Sequence, residues 1–157
     1  MPFGTNGTDR YMGIDYDRMR KYRLARVREV MDKYQYGTLI SWDAWNMRYM
    51  TGGFPTVPCR WSASMISMLC QGGEPLLSAT TSFDPDDLKK VMPWLRKDHV
   101  TKDIGGGKLA FRPEEWKGFM DYVCRFIEDN GAVGKVVALD LPPAPALPLS
   151  AICNFFP

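Results

Sequence analysis

The segment from residue 63 to residue 79 constrains the fold more than any other part of the sequence. Two apolar runs, Ala63–Leu69 and Pro75–Ala79, flank the polar stretch Cys70-Gln71-Gly72-Gly73-Glu74. Glycines between apolar runs are typical of a turn that joins two antiparallel strands, because glycine adopts the positive φ values that such turns require. The segment therefore predicts a β-hairpin, so a sheet built on it contains an antiparallel pair.

Before the hairpin, the stretch Asp15–Gln35 predicts an amphipathic helix that ends near Gly37. Its apolar residues recur at steps of three and four, with arginine and lysine between them. They are Leu24, Val27, Met31 and Tyr34. The next residues, Thr38–Trp42, predict a short strand that ends at Asp43.

After the hairpin, Asp84 begins a predicted helix that runs to about Leu95, with acidic residues at its positive end. Pro113 begins a second one, which ends before Gly131. One face of this second helix carries Trp116, Phe119, Val123, Phe126 and Ile127. The apolar run Val136–Leu139 predicts a strand covered on both faces. The order of elements predicts an α/β fold with a mixed β-sheet flanked by helices.

A chain of 157 residues fits one domain. We expect a flexible arm over residues 1–14 and the folded domain over residues 15–141. Residues 142–157 form a proline-rich tail, with prolines at 142, 143, 145 and 148, which can hardly continue a strand or a helix. Its last residues, 151–157, are apolar, which predicts that they normally connect to something further.

Composition excludes several classes of protein. The 20 basic and 18 acidic residues leave a net charge of only +2, and the one basic cluster, between Arg18 and Arg28, lies along the predicted first helix. A solvated helix face explains that cluster better than nucleic-acid binding. The chain shows no signal-peptide pattern and no apolar run long enough to cross a membrane, so we expect a cytoplasmic protein without membrane contact. Its four cysteines lack metal-ligand spacing, and we expect free thiols.

The sequence offers no catalytic set. The single histidine, His99, lies in a charged segment and is expected at the surface. Asp43 and Asp140 follow predicted strands, where such a pair can hold magnesium for phosphodiester hydrolysis. The alternative is that strand-end aspartates cap the following helix or turn, and it is favoured because no third acidic partner accompanies them.

The most distinctive stretch runs from Trp42 to Phe54, with the sequence WDAWNMRYMTGGF. From its residues alone it is a structural turn. Asp43 or Asn46 can bond to nearby backbone N–H groups, Tyr49 can pack inward, and two glycines, at 52 and 53, permit a tight exit.

A strand, then Asn-x-Arg-Tyr-x-Thr-Gly-Gly-Phe, then a strand that begins near an arginine resembles the amino-terminal domain of the creatinase/prolidase family. The helix that contains Asp17 to Arg23 is also similar to that family, and the resemblance covers residues 15–141. It leans toward bacterial Xaa-Pro-peptidase-like members. The resemblance implies a ribonuclease-H-like domain without nuclease chemistry.

The resemblance also implies what surrounds this domain. Family members carry a second, pita-bread domain that holds two divalent metal ions, such as manganese, cobalt or zinc. None of its ligands can be placed in this sequence, so we expect no catalytic residue, metal or cofactor in this chain, which ends where that domain would begin. The resemblance further implies that the amino-terminal domain forms homodimer contacts and reaches the catalytic domain of its own or the partner chain.

In creatinase an arginine at the start of the second strand grips the substrate carboxylate. The resemblance places Arg60 at that position and makes Trp61 an apolar wall beside it. A guanidinium suits the task because its fork bonds a carboxylate in two places. The alternative is a surface arginine that pairs with any nearby acid.

The resemblance thus implies a non-catalytic domain for dimerisation and substrate gating, whose parent is an Xaa-Pro peptidase. Three alternatives stay open. The parent can be a creatinase or a dimethylsulfoniopropionate lyase of the same fold, the chain can be a stand-alone binding module, or it can be a ribonuclease-H-like nuclease.

Overall fold

The computed structural model describes residues 14–53, 65–78, 84–101 and 116–140. Within these ranges lie four α-helices: α1 (Tyr16–Tyr34), α2 (Ala44–Thr51), α3 (Pro85–Val91) and α4 (Trp116–Asp129). Five strands accompany them: β1 (Tyr36–Ser41), β2 (Ile66–Cys70), β3 (Leu76–Ser78), β4 (Val100–Thr101) and β5 (Val136–Asp140). A short 3-10 helix, Lys97–His99, leads into β4.

The strands form one mixed sheet in the order β4-β3-β2-β1-β5. β2 pairs antiparallel with β1 and with β3, whereas β5 runs parallel to β1 and β4 runs parallel to β3. The predicted hairpin and the predicted mixed α/β sheet flanked by helices are therefore confirmed.

Alternation along the strands divides the core between the two faces of the sheet. One face packs against α4, whose buried residues Phe119, Val123, Phe126 and Ile127 meet the even-numbered residues of β2. The other face packs against α1 and α2 through Leu69, Met31 and Met50, and α3 extends this layer over Leu77. The predicted apolar face of α4 is thus confirmed for these four side chains.

Helix α1 ends earlier than its glycine suggested. Gln35 adopts the left-handed conformation, with φ of 58°, and its backbone N–H bonds to the carbonyls of Asp32 and Met31. Gly37 instead lies within β1, where a Cβ would come 2.1 Å from the Cβ of Lys135. The glycine is therefore required by the close approach of the chain before β5 rather than by the end of the helix.

The first helix is also less solvated than predicted. Three of its arginines pack against the protein: Arg20 lies 4.0 Å over the Trp94 ring, Arg23 lies over Tyr49, and Arg28 donates to the carbonyl of Gly73. The stems and planes of these guanidinium groups cover apolar surface, which is why a basic cluster on a helix need not face solvent.

The β2–β3 turn is held from two sides. Arg28 of α1 donates to the carbonyl of Gly73 and pairs with Glu74, while Gln71 donates to Asp32. Lys135, just before β5, donates to the Gln71 side chain at 3.4 Å. The turn therefore joins the first helix to the start of the last strand.

The predicted covered strand at 136–139 is wrong in one respect. Val136 is 57% exposed and the rest of β5 is only half-buried, because β1 is its only neighbour in the described part of the sheet. An apolar run shows that a strand prefers burial but not how many neighbours it has.

Two cysteines, Cys70 and Cys124, lie in the described ranges, and both are free thiols, as predicted. Burial raises the pKa of the Cys70 thiol, which also contacts the Thr38 hydroxyl at 3.3 Å. None of the helices in the described ranges is long and apolar enough to cross a membrane.

Candidate functional site

A groove of about 310 Å³ lies between α1, β1 and α2. Its walls are mainly apolar and include Val27 and Met31 from α1, Leu39 from β1 and Met50 from α2. These side chains belong to the smallest of the three core clusters, so the groove is an opening into the edge of the core.

One end of the groove is polar. A carboxylate oxygen of Asp140, Oδ2, accepts hydrogen bonds from the Ser41 hydroxyl and from the Asn46 amide, each at 2.7 Å. Ser41 is fully buried and pairs in register with Asp140 across β1 and β5. Asn46 belongs to residues 42–54, the family-like segment that carries the resemblance, and thereby links α2 to the end of β5.

Of the other roles predicted for residues 42–54, those of Asp43 and Gly52 are confirmed and that of Tyr49 is wrong. Asp43 caps α2, since its Oδ1 accepts from the backbone N–H groups of Trp45 and Asn46 at 2.9 Å each. Gly52 ends the helix with φ of 70°, which confirms the predicted tight exit. Tyr49, however, does not pack inward as predicted: it is 38% exposed and lines the groove beneath Arg23.

The two aspartates considered as magnesium ligands, Asp43 and Asp140, form other contacts in the structure. Asp43 caps a helix, and Asp140 holds Ser41 and Asn46. Within the described ranges, no three histidine, cysteine, aspartate or glutamate side chains lie close enough together to hold a metal ion. The capping alternative therefore explains Asp43, whereas Asp140 is a link between elements.

Exposed apolar side chains continue along the groove and beyond it. Val30 on its wall is 46% exposed. The ring of Tyr34 stacks on Tyr36 of the groove, with ring centroids 5.7 Å apart, and Tyr36 pairs across the sheet with the exposed Val136. We call this apolar face, made of Val30, Tyr34, Tyr36, Tyr49 and Val136, the α1–β5 surface.

The α1–β5 surface has only a weak signal in the sequence. Val30 lies one position before Met31 and thus beside the predicted stripe of α1 rather than on it. Tyr34 was assigned to the stripe, yet it is 54% exposed. An apolar helix face that is wider than the part of the helix in contact with the sheet indicates such a surface.

His99 is buried rather than exposed, so the prediction of a surface histidine is wrong. It retains 7% exposure, its Nδ1 lies 3.3 Å from the carbonyl oxygen of Pro75, and its ring meets Phe126 edge-on. The charged neighbours that suggested exposure, Arg96 and Asp98, pair with each other at the surface. The 3-10 turn directs His99, the residue after Asp98, toward the interior.

Arg60 and Trp61, the predicted substrate-binding residues, lie outside the described residues, as do the predicted arm (except Ile14) and tail. Their roles stay predictions. No protein-family model and no curated protein matches this chain. The creatinase/prolidase family therefore stays a hypothesis that depends on residues 42–54 and the elements around them.

Proposed function

We propose that this chain is the non-catalytic amino-terminal domain of a creatinase/prolidase-type metalloenzyme, and that it serves dimerisation and substrate gating. The parent in this proposal is an Xaa-Pro peptidase, with a creatinase or a dimethylsulfoniopropionate lyase of the same fold as alternatives. In this proposal the two divalent metals belong to the parent's catalytic domain.

The architecture around the family-like segment supports the proposal. Asp43 caps α2, Gly52 ends it, and Asn46 binds the end of the parallel strand β5 through Asp140. The segment thus has a definite structural task at the junction of β1, α2 and β5. A ribonuclease-H-like arrangement of the mixed sheet is part of the proposal.

The observation that carries the interaction role is the α1–β5 surface. Large apolar side chains that stand together at a surface are typical of protein–protein contacts, whereas single ones are ordinary. Here a valine and a tyrosine open into a groove, and a second tyrosine and an exposed valine of β5 continue the same face. The proposed occupant is a second copy of the chain.

The association is tested by sedimentation velocity on the double variant Val30→Glu with Tyr49→Glu. We expect the dimer dissociation constant to rise at least about tenfold, because two carboxylates would have to be buried in an apolar contact. The matched control is Tyr22→Glu, since Tyr22 is 62% exposed on α1 but does not line the groove. A chain that stays monomeric at all concentrations, or a control that weakens the dimer equally, would contradict the interaction role.

The family assignment is tested separately. The purified chain is expected to show no hydrolysis of an Xaa-Pro dipeptide with added manganese or cobalt, and robust turnover would overturn the non-catalytic role. In the full-length parent, Arg60→Lys should mainly raise KM, because a lysine replaces a two-point contact by a single one. Unchanged kinetics would remove Arg60 from the substrate site.

A further inference from the structure

A second cavity, of about 380 Å³, lies on the opposite face of the sheet from the groove, between the C-terminal half of α4 and the 3-10 turn. Its floor consists of the buried residues Leu76, His99 and Phe126. Its rim carries charged and polar groups from both elements. A volume at the lower end of the range for ligand pockets, with two apolar side chains and one imidazole on the floor and a polar rim, suits a small molecule.

His99 is held in one orientation on this floor. Its Nδ1 lies 3.3 Å from the Pro75 carbonyl, and because a carbonyl only accepts, Nδ1 carries the proton. Its ring is fixed edge-on against Phe126, with centroids 5.9 Å apart. In the neutral ring this leaves Nε2 as an acceptor that no described residue engages.

Two of the rim charges neutralise each other. Arg96 contacts Asp98 through two nitrogens, Nε at 3.1 Å from Oδ1 and a second one at Oδ2. Such a fork-to-carboxylate pair leaves neither group with a full charge to offer to a ligand.

The other two rim charges remain uncompensated among the described residues. Arg125 donates Nε to the carbonyl of Asp121 at 3.2 Å but forms no ion pair, and neither does Asp129. The two lie four residues apart on α4 and so share one face of the helix. Tyr122 lines the same cavity three residues before Arg125, and its hydroxyl, whose pKa burial raises, can donate a hydrogen bond there.

We propose that this cavity binds a small zwitterion, with a carboxylate held by Arg125 and Tyr122, an ammonium group held by Asp129, and an apolar side chain on the floor. A guanidinium and a carboxylate on one face of α4 can each bind one of the two opposite charges of a free α-amino acid, and Leu76 and Phe126 can contact a branched apolar side chain. The proposal is independent of the function proposed above, because the two cavities lie on opposite faces of the sheet.

The test uses three probes that differ in one charge each: L-leucine, 4-methylpentanoate, which lacks the amine, and 3-methylbutylamine, which lacks the carboxylate. Titration of the ¹⁵N-labelled chain should shift amide resonances around 96–99 and 122–130. Each single-charge analogue should bind at least about tenfold more weakly than leucine, because each loses a charge-assisted hydrogen bond. If leucine causes no shifts at millimolar concentration, or if either analogue binds as tightly as leucine, the proposal is overturned.

Two variants test which side chain binds which charged group of the ligand. Arg125→Gln should weaken leucine and 4-methylpentanoate about tenfold and leave the amine unchanged, whereas Asp129→Asn should weaken leucine and the amine and leave the acid unchanged. Both positions are exposed, and thermal unfolding confirms that the variants fold. The control is Arg18→Gln, an exposed arginine of α1 outside the cavity. Equal losses for all three probes, or a loss in the control, would contradict the assignment.

Discussion

Two apolar strands of equal length, β2 and β5, have different surroundings. Every residue of β2 is buried, whereas β5 begins with an exposed valine and is otherwise half-buried. β2 has β1 and β3 as neighbours and helices on both of its faces, while β5 pairs with β1 alone in the described sheet and has the apolar groove beside its end. The comparison teaches that the position of a strand in the sheet, rather than its hydrophobicity, determines its burial. It also identifies the side of the molecule where a contact is to be expected.

The largest effect is expected at the buried strand. Leu69→Ala should lower the free energy of unfolding by about 2–5 kcal/mol, because it removes a fully buried side chain between α1, α2 and the sheet and leaves a cavity. Urea unfolding followed by circular dichroism measures the loss. A loss below about 1 kcal/mol would mean that β2 is not the centre of the core.

A smaller loss is expected at the end of β5. Asp140→Ala removes the acceptor that Ser41 and Asn46 share, which leaves the buried Ser41 hydroxyl without its partner. We expect about 1.5–3 kcal/mol of destabilisation in the same urea experiment. Asp140→Asn is the matched control: it keeps one acceptor oxygen and should lose less. Equal stability of the alanine variant and the parent would show that this contact does not hold β5 in place.

The next smaller loss of stability is expected at the N-terminal cap of α2. Asp43→Ala should cost about 1 kcal/mol, since two backbone N–H groups of the first turn lose their acceptor. Asp43→Ser restores an oxygen at the same place and should recover most of the loss. Thermal unfolding of the two variants side by side decides the point. A serine variant as unstable as the alanine variant would indicate a role for Asp43 beyond capping.

The smallest effect is expected at the exposed edge. Val136→Thr keeps the shape of the side chain and should change the stability of the monomer by less than about 0.5 kcal/mol. The measurement is urea unfolding at low protein concentration, where a dimer would dissociate. A loss near that of Leu69→Ala would show that β5 is covered within the single chain, and the contrast between the two strands would disappear.

The elements that sequence reasoning placed correctly have local signals. The hairpin follows from Gly72 and Gly73 between apolar runs, and the cap at Asp43 and the exit at Gly52 follow from the residue types at those two positions. The helix face of α4 follows from its periodicity. In each case the residues that determine the structure are neighbours in the sequence.

The misplaced features depend on distant partners. His99 is buried because its ring contacts the Pro75 carbonyl and the Phe126 ring, and neither residue is adjacent to it in sequence. Gly37 is required by Lys135, almost a hundred positions later. The α1–β5 surface likewise results from the order of strands in the sheet, which no local pattern encodes. The predicted substrate residues, Arg60 and Trp61, remain predictions.

The β2–β3 turn, which Arg28, Asp32 and Lys135 hold, has a consequence for dividing the chain. Cutting or lengthening the chain between Gln71 and Glu74 would disturb the contacts of α1 and of the start of β5 at once. The α4–β5 loop differs, because an added Cβ at Gly131 or Gly134 would meet no atom within 4 Å, although the positive φ of both residues requires that the glycines themselves are kept. An inserted reporter therefore belongs at the exposed Val133 and Gly134 of the α4–β5 loop, where it leaves the buried Ala132 and the contacts of Lys135 in place.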